Sequence, residues 1–252
     1  MSESTSSLHR LSIAIGNFFF RYRNSVFPAM FAVAILIGRP HVILGNAAFD
    51  ELLVATGAVV ALAGETVRLV TIGYEYIERG GKAGKVYASH LVQGGMYGQM
   101  RNPMYVGNVL IAVGMSLFSG APFAYFVAVP LFVLIYQAII VTEENYLHRQ
   151  FGKEYEAYCA RVPRFFPSFR YGLRSFEGMR YNWKRALRQD LSTITALLLG
   201  LCLLPIWRTF FLEGFDAAKR IVLRTAELSL LTLAAYVILV ILKKQKRLHD
   251  PE

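Results

Sequence analysis

Apolar runs of about 20 residues, the length an α-helix needs to cross a bilayer core, recur along the chain between polar breaks. They run from Val26 to Leu44, Glu51 to Ile72, Pro103 to Ser119, Phe123 to Thr142, Leu191 to Leu212 and Val222 to Leu242. The Gly120-Ala121-Pro122 turn between the third and fourth predicts an antiparallel hairpin. The pattern predicts an all-α fold: a polytopic membrane bundle of about six transmembrane helices, in one integral membrane domain over 1–252. Within it, 189–252 forms an additional C-terminal hairpin. Met1 to Leu11 is polar and precedes no short apolar region with a cleavage site, so no cleavable signal is expected. No internal repeat is visible.

Composition sharpens this picture. Hydrophobic residues make up 55% of 252, with a mean hydropathy of +0.40, against roughly 45–50% in soluble domains. That disfavours a soluble enzyme and excludes intrinsic disorder. The 27 Lys and Arg exceed the 17 Asp and Glu, and cytoplasmic loops carry such an excess. Placing the N-terminus inside leaves Arg39, Arg208, Lys219 and Arg220 as the outside cations. The long basic series from Arg149 to Arg188 then falls inside. Both termini are expected in the cytoplasm and the protein in the plasma (inner) membrane. Cys159 and Cys202 have no metal-ligand spacing and read as unpaired thiols.

Candidate chemistry gathers at the ends of the third and fourth spans. In Gly94-Gly95-Met96-Tyr97-Gly98-Gln99-Met100-Arg101-Asn102-Pro103-Met104-Tyr105-Val106-Gly107, Asn102 and Pro103 suit the N-cap and first turn of a helix. The free N–H groups and positive helix end, with Arg101, would form an anion site. The same residues also read as a plain cap beside an interfacial Arg. Glu143-Glu144 closes the fourth span and returns to the same face as Arg101. Two carboxylates at a helix C-terminus oppose the dipole and need a cation or a ligand, unless the helix simply continues to Gln150. Phe151-Gly152-Lys153-Glu154-Tyr155-Glu156-Ala157-Tyr158 and Arg161-Val162-Pro163 follow, as a break, a short helix and a stop.

Taken in order, these elements resemble the membrane methyltransferases typified by isoprenylcysteine carboxyl methyltransferases and, more distantly, phosphatidylethanolamine N-methyltransferases, over about 74–167. The resemblance implies S-adenosylmethionine bound at the cytoplasmic end of the hairpin and a lipid or lipidated acceptor reached from within the bilayer. It implies cofactor contacts from His90, Leu91, Val92, Tyr97, Asn102, Pro103, Met104, Tyr105 and Glu143. Arg101 and Glu144 would act at the reacting centre, and Glu65, Tyr74 and Arg79 would face the acceptor. The chain departs from the family in having Asn102 where His is usual. It also has Ile139 where the isoprenylcysteine enzymes carry a substrate-binding Arg, which argues for a phospholipid headgroup over a prenylcysteine carboxylate.

Glu65 and Arg68, three apart in the second span, read either as functional intramembrane residues or as a mutual ion pair. Basic and aromatic residues alternate from Arg164 to Arg188; between spans they suit anionic membrane headgroups and not nucleic acid. The second and third spans are expected to line a groove for the acceptor. Membrane sterol reductases share part of the motif and use NADPH, but adjacent Glu143 and Glu144 suit a cationic cofactor better. A non-catalytic scaffold or transporter is the third reading, and transporters usually show paired halves. No oligomeric state is implied.

Overall fold

The computed structural model describes residues 3–42, 45–75, 86–168 and 174–248. Arg79 lies outside them, as do Gly80, Gly81, Lys82 and Lys85. Among the described residues seven α-helices follow one another: α1 (Glu3–Ile37), α2 (Ala47–Tyr74), α3 (Pro103–Ser119), α4 (Val129–Phe151), α5 (Lys153–Arg161), α6 (Trp183–Glu213) and α7 (Phe215–Lys244). A π-helical turn, Ala124–Ala128, leads into α4. No strand occurs among the described residues. Among the described residues, four helical segments are long and apolar enough to cross a membrane: α2, Ala124–Phe151, α6 and α7. The apolar parts of α1, Ser25–Ile37, and α3 are shorter.

α3 has the expected bounds, opened by Pro103 and closed by Gly120, whose φ of 66° is the left-handed conformation glycine tolerates. Several expected boundaries move. α1 begins well before Val26 because Phe20, Phe27 and Ala34 are buried at seven-residue spacing, a stripe that a search for continuous apolar runs does not see. It ends at Ile37, before Gly38-Arg39-Pro40. α4 does not stop at Thr142. It passes through Glu143 and Glu144 to Phe151, so no helix end opposes those carboxylates. α6 starts at Trp183, because Asn182 Oδ1 accepts the Arg185 N–H (2.8 Å) as a cap.

The helices pair unequally. α3 lies antiparallel along α2 through small residues spaced by seven: Gly57 and Gly64 meet Gly114 and Gly107. With no hydrophobic drive between helices in lipid, such close backbone approach favours association by packing. A Cβ on Gly64 would stand 2.6 Å from the Gly107 carbonyl oxygen and 2.8 Å from the Ile111 nitrogen, both immobile backbone atoms. Gly64→Val is therefore expected to cost about 1–3 kcal/mol through overpacking, measured as reduced stability in a detergent denaturation series. Unaltered stability would mean that the crossing is looser.

α1 packs on α4, and α6 packs on α2, α3 and α7. Arg185 caps the C-terminal carbonyls of α2, donating to Ile72 O (3.0 Å) and Gly73 O (2.8 Å). At the opposite end, Arg208 of α6 pairs with buried Asp50 of α2. Arg208 is thus a helix residue. Lys219 and Arg220 belong to the early turns of α7, since Gly214 alone separates α6 from α7.

Candidate functional site

The polar end of the site is assembled by backbone pairing between two segments. Arg101 N–H donates to Pro163 O (2.8 Å), Ser168 N–H to Gln99 O (2.9 Å), and Asn102 Nδ2 to Arg164 O (3.2 Å). Asn102 thus holds the N-cap position of α3, but its side chain does not cap; it binds the irregular stretch after α5 instead. Pro163 ends α5 and offers its carbonyl to Arg101, which gives the Val-Pro element its local purpose. α5 is fixed underneath by Tyr158, whose hydroxyl donates to Tyr97 O (2.8 Å). Burial holds the Tyr155 and Tyr158 hydroxyls well above the usual phenol range, so both stay protonated.

Two carboxylates on successive residues of α4 have different partners. Glu144 is bracketed by arginines from both sides of the hairpin. Arg164 forms a fork, Nε to Oε1 (2.9 Å) and Nη2 to Oε2 (2.7 Å), and Arg101 Nη1 reaches Oε1 at 3.3 Å. Bidentate guanidinium–carboxylate pairs of this kind fix geometry as well as charge. Arg101 also donates to Cys159 Sγ (2.9 Å). Glu143 accepts instead from the Tyr105 hydroxyl (2.6 Å), which in turn accepts from Arg23 of α1 (3.4 Å). Glu143 thus meets Tyr105 across the hairpin, and the Asn102 amide turns away toward Arg164.

These groups face one cavity of about 1180 Å³. Its polar mouth includes His90, Leu91, Val92, Tyr97, Arg101, Asn102, Met104, Tyr105, Glu143 and Glu144. From there it runs between α1 and α6, past Phe27, Phe31, Phe132, Leu197 and Leu204, into an apolar channel. Most residues expected around the cofactor therefore converge. Pro103 is buried in the first turn of α3 and contributes no lining. Nor does Glu65, which lies buried 3.5 Å from Arg68, or Tyr74, which packs on the rings of Phe176 and Tyr181. The groove is walled by α1, α3, α4 and α6, and α2 contributes Arg68 alone, unlike the expected pairing of second and third spans.

Four groups escaped sequence reasoning. Arg23 and Arg164 were visible only as basic residues in segments expected to be cytoplasmic. Asn108 and Asp190 join Arg68 in a buried cluster: Arg68 Nε donates to Asp190 Oδ2 (3.0 Å), Nη2 to Asp190 Oδ1 and to Thr193 Oγ1 (3.0 Å), and Nη1 to Asn108 Oδ1. An acid at the edge of an apolar span was the available signal, since intramembrane charges pair.

A family model described as phospholipid methyltransferase matches residues 52–154, from α2 through the Glu143–Glu144 layer to the start of α5. This segment is similar to the phospholipid methyltransferases. Three curated relatives align with about the same share of the chain. The nickel-cobalt-cadmium resistance protein NccN of Alcaligenes xylosoxydans xylosoxydans is 34% identical over 80 residues, 32% of this chain and 37% of its own length. The cobalt-zinc-cadmium resistance protein CzcN of Cupriavidus metallidurans is 36% identical over 77 residues, 31% and 35%. The protein-S-isoprenylcysteine O-methyltransferase of Schizosaccharomyces pombe is 38% identical over 81 residues, 31% and 33%. The chain thus aligns with about a third of the length of each. No solved structure matches the chain. The apolar helices and the matched segment fit an integral membrane protein, with α6 and α7 lying outside that segment.

Proposed function

We propose that the protein transfers the methyl group of S-adenosylmethionine to a lipophilic acceptor drawn from the bilayer, either an isoprenylcysteine-like carboxylate or a phospholipid headgroup. The observation that carries this is the continuous cavity, which joins a polar mouth to an apolar channel between α1 and α6. The cofactor brings an activated methyl on a cationic sulfur. The mouth suits it chemically. Glu143 offers a carboxylate to a cation, Arg101 offers a guanidinium to an amino-acid carboxylate, and Leu91, Val92, Met104 and Leu147 offer apolar walls to a base. Most of the rate would come from holding the reacting atoms in line in a site matched to migrating charge.

The residues also narrow the proton chemistry. Glu144 is occupied by two arginines, and Glu65 lies outside the cavity, so neither is placed as a base. The Tyr105–Glu143 pair is the remaining route for a proton from an amine or hydroxyl acceptor. A carboxylate acceptor needs none. Ile139 is 0% exposed and does not line the cavity, whereas Arg23 lines it beside Tyr105 and presents a cation to an anionic head.

NADPH-dependent reduction remains the second reading, because Arg101 and Arg164 place two cations beside the acidic pair. The two readings separate by thermal stabilisation of the detergent-purified protein. S-adenosylmethionine or S-adenosylhomocysteine should raise its melting temperature while NADPH leaves it unchanged. Stabilisation by NADPH alone would overturn the methyltransferase reading. Metal resistance appears in the names of two relatives; among the described residues no group of three or more His, Cys, Asp or Glu is placed to hold a metal ion.

The same proposal puts six spans in the membrane, with both termini and the cavity mouth cytoplasmic. Cysteines introduced at Ala47 and Asp216, both exposed at the helix ends opposite the mouth, should react with impermeant maleimide only from outside the cell. Labelling of either from the cytoplasmic side alone would reverse the topology.

A further inference from the structure

The face that α6 turns to the cavity changes character along its length. It presents Gln189, Ser192 and Thr193 first, then Ala196, Leu197, Gly200, Leu203 and Leu204, the i, i+3, i+4, i+7 spacing of one helical face. Asn108 and Arg68 line the cavity at the polar end of that face. Asn108 stands three residues beyond Tyr105 on α3, about 4.5 Å farther from the mouth at 1.5 Å per residue. A second polar layer therefore lies roughly one helical turn deeper than the Glu143–Tyr105 layer, with the apolar channel beyond it.

The charge of this layer decides what it takes. Arg68 is 2% exposed and Asp190 1%; the guanidinium is held by Asp190, Asn108 and Thr193, with Glu65 also within 3.5 Å. Its positive charge is thus matched inside the protein, and the layer has no cation left for an anion. What it offers are neutral donors. The Thr193 oxygen accepts from Arg68, which leaves its own hydrogen to donate, and Ser192 and the Gln189 amide border the same space.

On the methyltransferase reading, we infer that α6 supplies a second subsite, in which Gln189, Ser192 and Thr193 hydrogen-bond an uncharged carbonyl linkage, such as an ester, about one helical turn from the acceptor's methyl-accepting group. An acceptor so recognised is an amphiphile whose polar part extends past its head, not one whose unbroken hydrocarbon begins there. α6 lies outside the 52–154 segment, so the matched segment does not itself supply this subsite.

The test uses the full-length protein in detergent and two probes that differ only in linkage: a diester-linked and a diether-linked glycerophospholipid with the same head and chain length. The ether lacks the carbonyl oxygens. Bound lipid is counted by native mass spectrometry, and S-adenosylhomocysteine affinity is measured in parallel. Wild type should prefer the ester about 3- to 10-fold, the range of one or two neutral hydrogen bonds. Ser192→Ala combined with Gln189→Leu should reduce the preference to what Thr193 alone can give, without changing S-adenosylhomocysteine affinity. Equal binding of ester and ether by wild type overturns the subsite, and so does a preference that the double substitution leaves undiminished. Absence of S-adenosylhomocysteine binding with the ester preference intact would instead overturn the methyltransferase reading and leave the subsite standing.

Discussion

Replacing Asp190 with Ala is expected to destabilise the protein by about 3–5 kcal/mol, the cost of leaving a buried charge without its partner. The reason is Arg68, which emerges from α2 into a site only 2% exposed and depends on Asp190 for two of its bonds. Glu65 and Asn108 are too few to hold that guanidinium alone, and the apolar surroundings make its desolvation severe. The double substitution Arg68→Met with Asp190→Leu should recover much of the loss, because apolar side chains of similar volume can replace a buried pair. Chemical denaturation in detergent of wild type, single and double variants would measure both effects. A single variant as stable as wild type would mean that another group compensates Arg68.

The second large effect is expected at the cavity mouth. Glu143→Ala removes the carboxylate that binds the Tyr105 hydroxyl and faces the cavity. Loss of a charge-assisted hydrogen bond costs about 1.5–3 kcal/mol, so S-adenosylhomocysteine affinity should fall roughly 10- to 150-fold, at a decade per 1.4 kcal/mol. Glu143→Gln keeps the shape and one acceptor oxygen and should lose less. Isothermal titration of the three proteins decides the matter. Equal affinities would remove Glu143 from the cofactor site, and a comparable loss in Glu144→Ala is not required, since Glu144 is already engaged by Arg101 and Arg164.

Local punctuation made parts of this molecule legible. Asn102-Pro103 and Gly120 set both ends of α3 because Pro fits a first helical turn and Gly a left-handed stop; neither depends on distant residues. The convergence of Tyr97, Tyr105, Glu143 and Glu144 on one cavity was also legible, through the ordered motif. What was hidden depends on pairing across long sequence distances. Glu65 looked like the natural partner of Arg68 three residues away, yet the two well-directed bonds come from Asp190, 122 residues on. The early start of α1 was hidden because the seven-residue stripe of Phe20, Phe27 and Ala34 holds that helix against α4, although its first turns are polar. The end of α4 was left between two readings because adjacent glutamates resemble a terminus; the continuing helix is the one found, and each glutamate has its own cationic or hydroxyl partner.

The channel between α1 and α6 has a kinetic consequence for the proposed reaction. An amphiphile that enters sideways is sampled from a two-dimensional solvent, so the concentration that governs its encounter with the mouth is its mole fraction in the leaflet. Adding inert lipid at constant total acceptor would dilute the reaction, while adding more vesicles of the same composition would not. Turnover would follow surface dilution, and the composition of the membrane would set the rate as directly as the amount of enzyme.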